Sequence, residues 1–227
     1  MSQYRVPSRR AFLQGVCTAV ITAAIADFSL ISRAGAQTTL TPDAAVQRMM
    51  DGNARYVSQR LQAFNENLAI LRQDTEEKQE PFAAVLSCAD SRVPVEIIFD
   101  QSIGHLFVTR VAGNVSTTEI IASLEYGAAV LGTSAIMVLG HAACGAVQAA
   151  IAGKEVPGQI STLYALLHPA VVQAGPNLEA TIKANARIQA KTLSQASPVL
   201  AGMIKAGRLK VVAAYYDLGT GRVELIT

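Results

Sequence analysis

The chain has no tryptophan, and phenylalanine and tyrosine bring its aromatic content only to 5%. Base stacking on single-stranded nucleic acid needs aromatic platforms, and these are missing. Charge is scarce too: 16% of residues are charged and the formal net charge is +2. No concentrated basic surface for a phosphate backbone is visible. Cysteine is rare, with three residues in 227. No internal repeat or linker appears after residue 40. What is abundant is apolar sequence, 51% of the chain, enough at this length for one compact domain with a sizeable core.

The amino terminus accounts for part of that apolar content. Ser8-Arg9-Arg10-Ala11-Phe12-Leu13 precedes a moderately apolar stretch from Gly15 to Ile31, and Ala34-Gly35-Ala36 has the small-x-small pattern of a processing site. The segment resembles a twin-arginine export signal. That resemblance implies transport of a folded protein across a bacterial membrane, with the export machinery as a partner. Asp27 interrupts the apolar run and leaves too short a clean stretch for a retained anchor. Residues 1–36 are therefore expected to be a signal peptide and 37–227 the folded domain, located in the periplasm or otherwise exported. The first 36 residues hold four arginines and one aspartate, so the remainder carries 15 basic and 16 acidic residues and a net charge of −1. Cys17 leaves with the signal, and Cys88 and Cys144 stay. One disulfide is then arithmetically allowed in an oxidising compartment, but the neighbours of each cysteine favour another use.

In the remainder, Thr41-Pro42-Asp43 can cap a helix with proline at its first position. Ala45, Val46, Met49 and Met50 follow at helical spacing, and Gly52-Asn53 is expected to interrupt it. Leu61 to Leu71 reads as a short helix or irregular arm, and the charged run Asp74 to Glu80 as a solvated loop. Short apolar runs then predict buried strands at Phe82–Leu86, Leu106–Thr109, Ala135–Leu139 and Leu209–Tyr215. Helical periods lie over Thr117–Leu131, Gly145–Ala152, Gln159–Leu167, Asn177–Ser194 and Val199–Ala206. Asp217-Leu218-Gly219-Thr220-Gly221 is a turn into a last strand, Arg222 to Ile226. The fold expected is α/β: a mostly parallel sheet with an antiparallel edge strand, flanked by helices, with an amino-terminal helical arm.

Two strand ends carry chemistry. Cys88-Ala89-Asp90-Ser91-Arg92 follows the first strand, and His141-Ala142-Ala143-Cys144-Gly145 follows the third. Parallel α/β sheets place their sites at such carboxyl ends. Cys88, His141 and Cys144 form a zinc-like ligand set. Asp90 can serve as a fourth ligand, or it can pair with Arg92 and leave room for water. Buried cysteines are more often small hydrophobes, and H-x-x-C alone is weak evidence. Its combination with C-x-D-x-R at a second strand end is much stronger. Arg110-Val111-Ala112-Gly113-Asn114 offers backbone donors near the same edge, with Gly113 a candidate pocket residue. Tyr126 is another, by its hydroxyl, or else it packs at an interface. His105 reads as a rim residue and His168, before Pro169, as structural. The pocket wall is otherwise small and apolar, which suits a small, weakly polar substrate.

Those two segments resemble the β-class carbonic anhydrase family. Arg110 to Asn114, Gly52-Asn53-Ala54-Arg55-Tyr56 and Ser123-Leu124-Glu125-Tyr126-Gly127 also match its patterns. The resemblance spans roughly residues 40 to 227. It implies one Zn(2+) per chain on Cys88, His141 and Cys144, and reversible hydration of carbon dioxide to bicarbonate and a proton by zinc-bound hydroxide. Asp90 would ligate the metal in a closed state or pair with Arg92 in an open one. It also implies a homodimer or higher homo-oligomer whose amino-terminal helices embrace the partner. Plant-like members place a pocket glutamine near the position of Gln101, but counting back from Arg110 puts it one residue out of step, so Gln101 is given no substrate contact. The same ligands suit a carbon disulfide or carbonyl sulfide hydrolase. A zinc-stabilised structural or sensing protein of this fold would instead hold its metal with four tight ligands.

Overall fold

The structure is a computed structural model that describes residues 38–65, 68–154 and 158–226. The expected signal peptide, residues 1–36, lies outside the described residues. Helix α1 spans Pro42–Val57, capped by the Thr41 hydroxyl accepting from the Ala44 N–H, with proline in its first turn. A single 3₁₀ turn (Ala63–Asn65) and α2 (Leu68–Thr75) complete the arm. The rest alternates: β1 (Ala83–Ser87), α3 (Val95–Ile98), β2 (Leu106–Arg110), α4 (Thr118–Glu125) continuing as a π-helical turn to Val130, and β3 (Ala135–His141). Then come α5 (Gly145–Ala152), a 3₁₀ turn at Gly158–Ile160, α6 (Ser161–Ala174), α7 (Leu178–Ala196), α8 (Pro198–Lys205), β4 (Lys210–Tyr216) and β5 (Val223–Ile226).

The five strands run in the order β2-β1-β3-β4-β5. The first four are parallel, and β5 is an antiparallel edge strand paired to β4. β1 and β3 are buried along their whole length, as sheets covered on both faces require. Their side chains divide with period two. Ala83, Val85, Met137 and Leu139 face α1 and α3, meeting Ala45, Met49, Ile98 and Phe99. Ala84, Leu86, Ile136 and Val138 face α4, α7 and α8, meeting Leu124, Ala186, Leu193 and Leu200. Each fully buried leucine or isoleucine contributes on the order of 1.5–3 kcal/mol.

Two expectations are corrected. Gly52-Asn53 does not interrupt the first helix; α1 runs through both residues. A β-carbon at position 52 would stand 1.8 Å from the Phe99 carbonyl oxygen, so glycine is there to let helix and loop approach, at a cost of about 1 kcal/mol in helix propensity. Asn53 is buried and uses its amide across the contact, donating to Ile98 O and Gly221 O and accepting from the Val223 N–H. α6 also outruns its expected end at Leu167, continuing through Pro169 to Ala174. Among the described residues, no helix is long and apolar enough to cross a membrane.

Candidate metal centre

From β1 the chain goes to β2 on one side of the sheet and returns to β3 on the other. The carboxyl ends of β1 and β3 therefore flank the point where the winding reverses, the usual crevice of an open α/β sheet. Ser87 is in register with Leu139, so Cys88 leaves β1 beside the end of β3, where His141 is the last residue. The chain turns through Ala143, which takes a positive φ of 52°, and Cys144 stands at the start of α5.

The ligand atoms of Cys88, His141 and Cys144 lie within 4.8 Å of one another, and all three residues are buried. The Nδ1 of His141 pairs with the Ala142 carbonyl at 2.9 Å, so Nδ1 carries the proton and Nε2 the free lone pair. That Nε2 is fully buried and has no hydrogen-bond partner among the described residues. A buried imidazole nitrogen without a partner, facing two sulfurs, fits a thiophilic cation of the zinc type. Hydrogen bonding from the Cys144 thiol lowers the pKa of the Cys88 thiol against the upward push of burial, with the Gly113 N–H assisting. The same bond and burial push the Cys144 thiol up.

Asp90 is bound on the arginine side. Arg92 donates through Nε to Oδ1 at 2.9 Å and through Nη2 to Oδ2 at 2.7 Å, and its own N–H also donates to Oδ1. This bidentate pair holds the Asp90 carboxyl far below the usual carboxylate range against the opposing push of burial. Asp90 Oδ2 remains 3.9 Å from His141 Nε2. Arg92 Nη2 donates as well to the Ala143 carbonyl at 3.1 Å, so one guanidinium ties the two ligand segments together. Arg110, at the end of β2, donates to the carbonyls of Cys88 and Asp90 and fixes the first segment from the other side.

Other candidates separate. Gly113 is brought to the centre, its N–H 3.3 Å from Cys88 Sγ. Tyr126 is 47% exposed, with its ring 6.3 Å from that of Phe107 on β2. His105 precedes β2 at the opposite end of the sheet, where Ser102 N–H and Arg48 meet its Nδ1. His168 is exposed on α6. Gln101 is buried near His105 and donates to the Phe99 carbonyl. Two residues with a direct bearing on the site escaped sequence reasoning, Asn185 and Gln189. Asn185 donates to the Gly113 carbonyl at 2.8 Å and Gln189 accepts from the Ser116 N–H at 2.9 Å. A signal was there to be found: Thr181, Asn185 and Gln189 form a polar stripe at four-residue spacing.

A mostly parallel sheet that gathers cysteine, histidine and cysteine at its carboxyl edge, beside an arginine-held aspartate, defines an α/β metalloprotein. Comparison with known proteins narrows this. A family model described as carbonic anhydrase matches residues 83–223. The chain is 36% identical over 195 residues to a carbonic anhydrase of Mycolicibacterium smegmatis, across 81% of this chain and 93% of that one. To carbonic anhydrase 2 of Mycobacterium tuberculosis it is 33% identical over 192 residues, across 81% and 92%. It therefore belongs to the carbonic anhydrase family. Its fold is that of the β class: a tetrameric β-carbonic anhydrase of Sordaria macrospora superposes with a TM-score of 0.63 at 24% identity, over 70% of this chain and 90% of that one. The Coccomyxa β-carbonic anhydrase solved with acetazolamide gives 0.64 at 24% identity, over 78% and 83%.

Proposed function

We infer that the chain catalyses the reversible hydration of carbon dioxide to bicarbonate and a proton, with one zinc ion per chain held by Cys88, His141 and Cys144. The observation that carries this reading is the buried, unpartnered Nε2 of His141 facing two cysteine sulfurs, beside a carboxylate that an arginine holds. When bound, zinc supplies a Lewis acid that makes a nucleophile of water near neutral pH. The two thiolates offset the charge of the cation, and neutral imidazole leaves it unchanged.

The remaining work belongs to the chain. Asp90 is anionic because Arg92 grips both its oxygens, so it accepts a hydrogen bond from the reacting water and orients a lone pair toward the substrate carbon. The same grip keeps Asp90 from filling the fourth ligand position. Arg110 and the bond from Arg92 to the Ala143 carbonyl hold the two ligand segments at a fixed separation. Val115, Val147, Leu167 and Ile182 pack with the sulfurs, and the partly exposed Val111, Ala142 and Ala146 flank them. Such a surface suits a small linear molecule with no net dipole.

The amino-terminal pattern supports export by the twin-arginine route. Folding with metal before export would protect Cys88 and Cys144 as ligands in an oxidising compartment. A homo-oligomer is in keeping with the outer edge of β2, which pairs with no other strand among the described residues, and with the tetrameric Sordaria enzyme. The test is the hydration rate of the purified chain before and after removal of metal by a chelator, with zinc returned at the end. Loss and recovery of carbon dioxide hydration are expected. Turnover of carbon disulfide or carbonyl sulfide without carbon dioxide hydration would reassign the substrate, and bound zinc without any turnover would remove the enzymatic reading.

A further inference from the structure

We propose that Asn185, braced by Gln189, is a positioning residue of the metal centre: it holds the 111–116 loop so that the Gly113 N–H donates to the sulfur of Cys88. The inference rests on the reading that Cys88 is a metal ligand.

The buried face of α7 is mainly apolar, with Ile182, Ala186, Ala190 and Leu193, yet Asn185 and Gln189 lie in it at 0% and 3% exposure. Buried amides are expensive unless hydrogen-bonded, so where their bonds go shows what they serve. Asn185 Nδ2 donates to the Gly113 carbonyl, and its Oδ1 accepts from Gln189 Nε2 at 3.1 Å. Gln189 Nε2 also donates to the Leu166 carbonyl on α6, and its Oε1 accepts from the Ser116 N–H. The pair thus anchors one loop at its middle, Gly113, and at its end, Ser116, against α6 behind it.

The loop needs that anchor. Gly113 and Asn114 take positive φ values of 77° and 43° in succession, and the second is uncommon for a residue with a side chain. Gly113 presents two faces. Its carbonyl goes to Asn185, and its N–H, from the preceding peptide, goes to Cys88 Sγ. A β-carbon at 113 would meet the Leu167 methyls at 3.2 and 3.3 Å, so the backbone is also packed closely on α6. Fixing one peptide of Gly113 fixes the direction of the other. An N–H donated to a thiolate draws electron density from the sulfur and lowers the energy of its donor orbital. Partners of this kind, one step removed from the metal, change affinity or activity by about 10- to 100-fold.

The experiment replaces zinc by Co(II) in the full-length chain and records the thiolate-to-cobalt charge-transfer band. Asn185→Leu removes the donor at similar volume. Thr181→Val is the control: Thr181 is equally buried one turn earlier on α7, but its hydroxyl goes to the Gly175 carbonyl. The band of Asn185→Leu is expected at longer wavelength than in the native chain, with hydration kcat of the zinc form falling about tenfold and KM held. Thr181→Val should keep the native band. If Asn185→Leu does not fold, Asn185→Ser, whose side chain is too short to reach, gives the same comparison. A band unmoved in the Asn185 variant that folds would overturn the proposal. So would a Thr181→Val band displaced as far, since the shift would then report general loosening. A native Co(II) chain with no thiolate band would instead overturn the cysteine ligand reading itself, and this inference with it.

Discussion

Ala143 sits in the left-handed region, where a residue with a β-carbon costs roughly 1–2 kcal/mol. Strain of this kind persists only where the surroundings over-determine it. Here the turn must bring Cys144 back beside His141, and Arg92 grips the Ala143 carbonyl. Cys144→Ser should therefore lose most of its bound metal, because a hydroxyl is a poor ligand beside a thiolate, and it should melt at lower temperature, because metal binding is coupled to folding. Full zinc content in that variant would show that Cys144 is no ligand. A second residue carries a pH dependence. Burial alone would raise the pKa of Asp100, but the Ala63 N–H, Arg55 and the Gln62 N–H together hold it below the ordinary value. A depressed folded-state value means that the stabilisation is fully present above the unfolded-chain pKa, about 3.9, and is lost as pH falls through the lower folded value. Asp100→Asn keeps the shape and tolerates the positive φ of 46°. It should cost about 1–3 kcal/mol at neutral pH and flatten the loss of stability below about pH 4. Urea titrations at several pH values check both. An unchanged acid limb would remove Asp100 from the account.

At the scale of elements, the strands and their direction were legible because each is a short apolar run between helical periods. The antiparallel edge strand was legible from the glycine-rich turn before it. The Cys88–Arg92 and His141–Cys144 segments were legible because ligand residue types stand at strand ends. What stayed hidden depended on contacts far apart in sequence. Gly52-Asn53 carries local breaker chemistry, and only the close approach of Phe99 and the partners Ile98, Gly221 and Val223 explain it. Asn185 and Gln189 lie in a helix whose apolar period dominates, and their partners, Gly113 and Ser116, are about seventy residues earlier in the chain. The end of α6 was misplaced because Pro169 usually marks a helix boundary, whereas here the helix runs through it to Ala174. Gly52→Ala separates local from tertiary logic. Helix propensity alone favours alanine by about 1 kcal/mol. The clash with the Phe99 carbonyl should reverse the sign, giving a net loss of about 1–3 kcal/mol with the helical circular dichroism retained. A gain in the urea midpoint would contradict the docking role of Gly52.

At the scale of the whole molecule, one sheet edge brings together three candidate metal ligands and a held carboxylate, and the amino-terminal pattern is proposed as an export signal. The export part is tested apart from the chemistry. Replacing Arg9 and Arg10 by lysine should retain the precursor in the cytoplasm, as fractionation would show, and unchanged export would remove the twin-arginine reading. The chemistry turns on whether Arg92 keeps Asp90 away from the metal position. The most direct measurement is zinc content and carbon dioxide hydration rate on the same samples of native chain and Arg92→Ala. The expected result is near one zinc per chain in both, since the three ligands are untouched, with hydration collapsing in the variant because a freed Asp90 takes the position that water needs. Hydration near the native rate in Arg92→Ala would contradict the account.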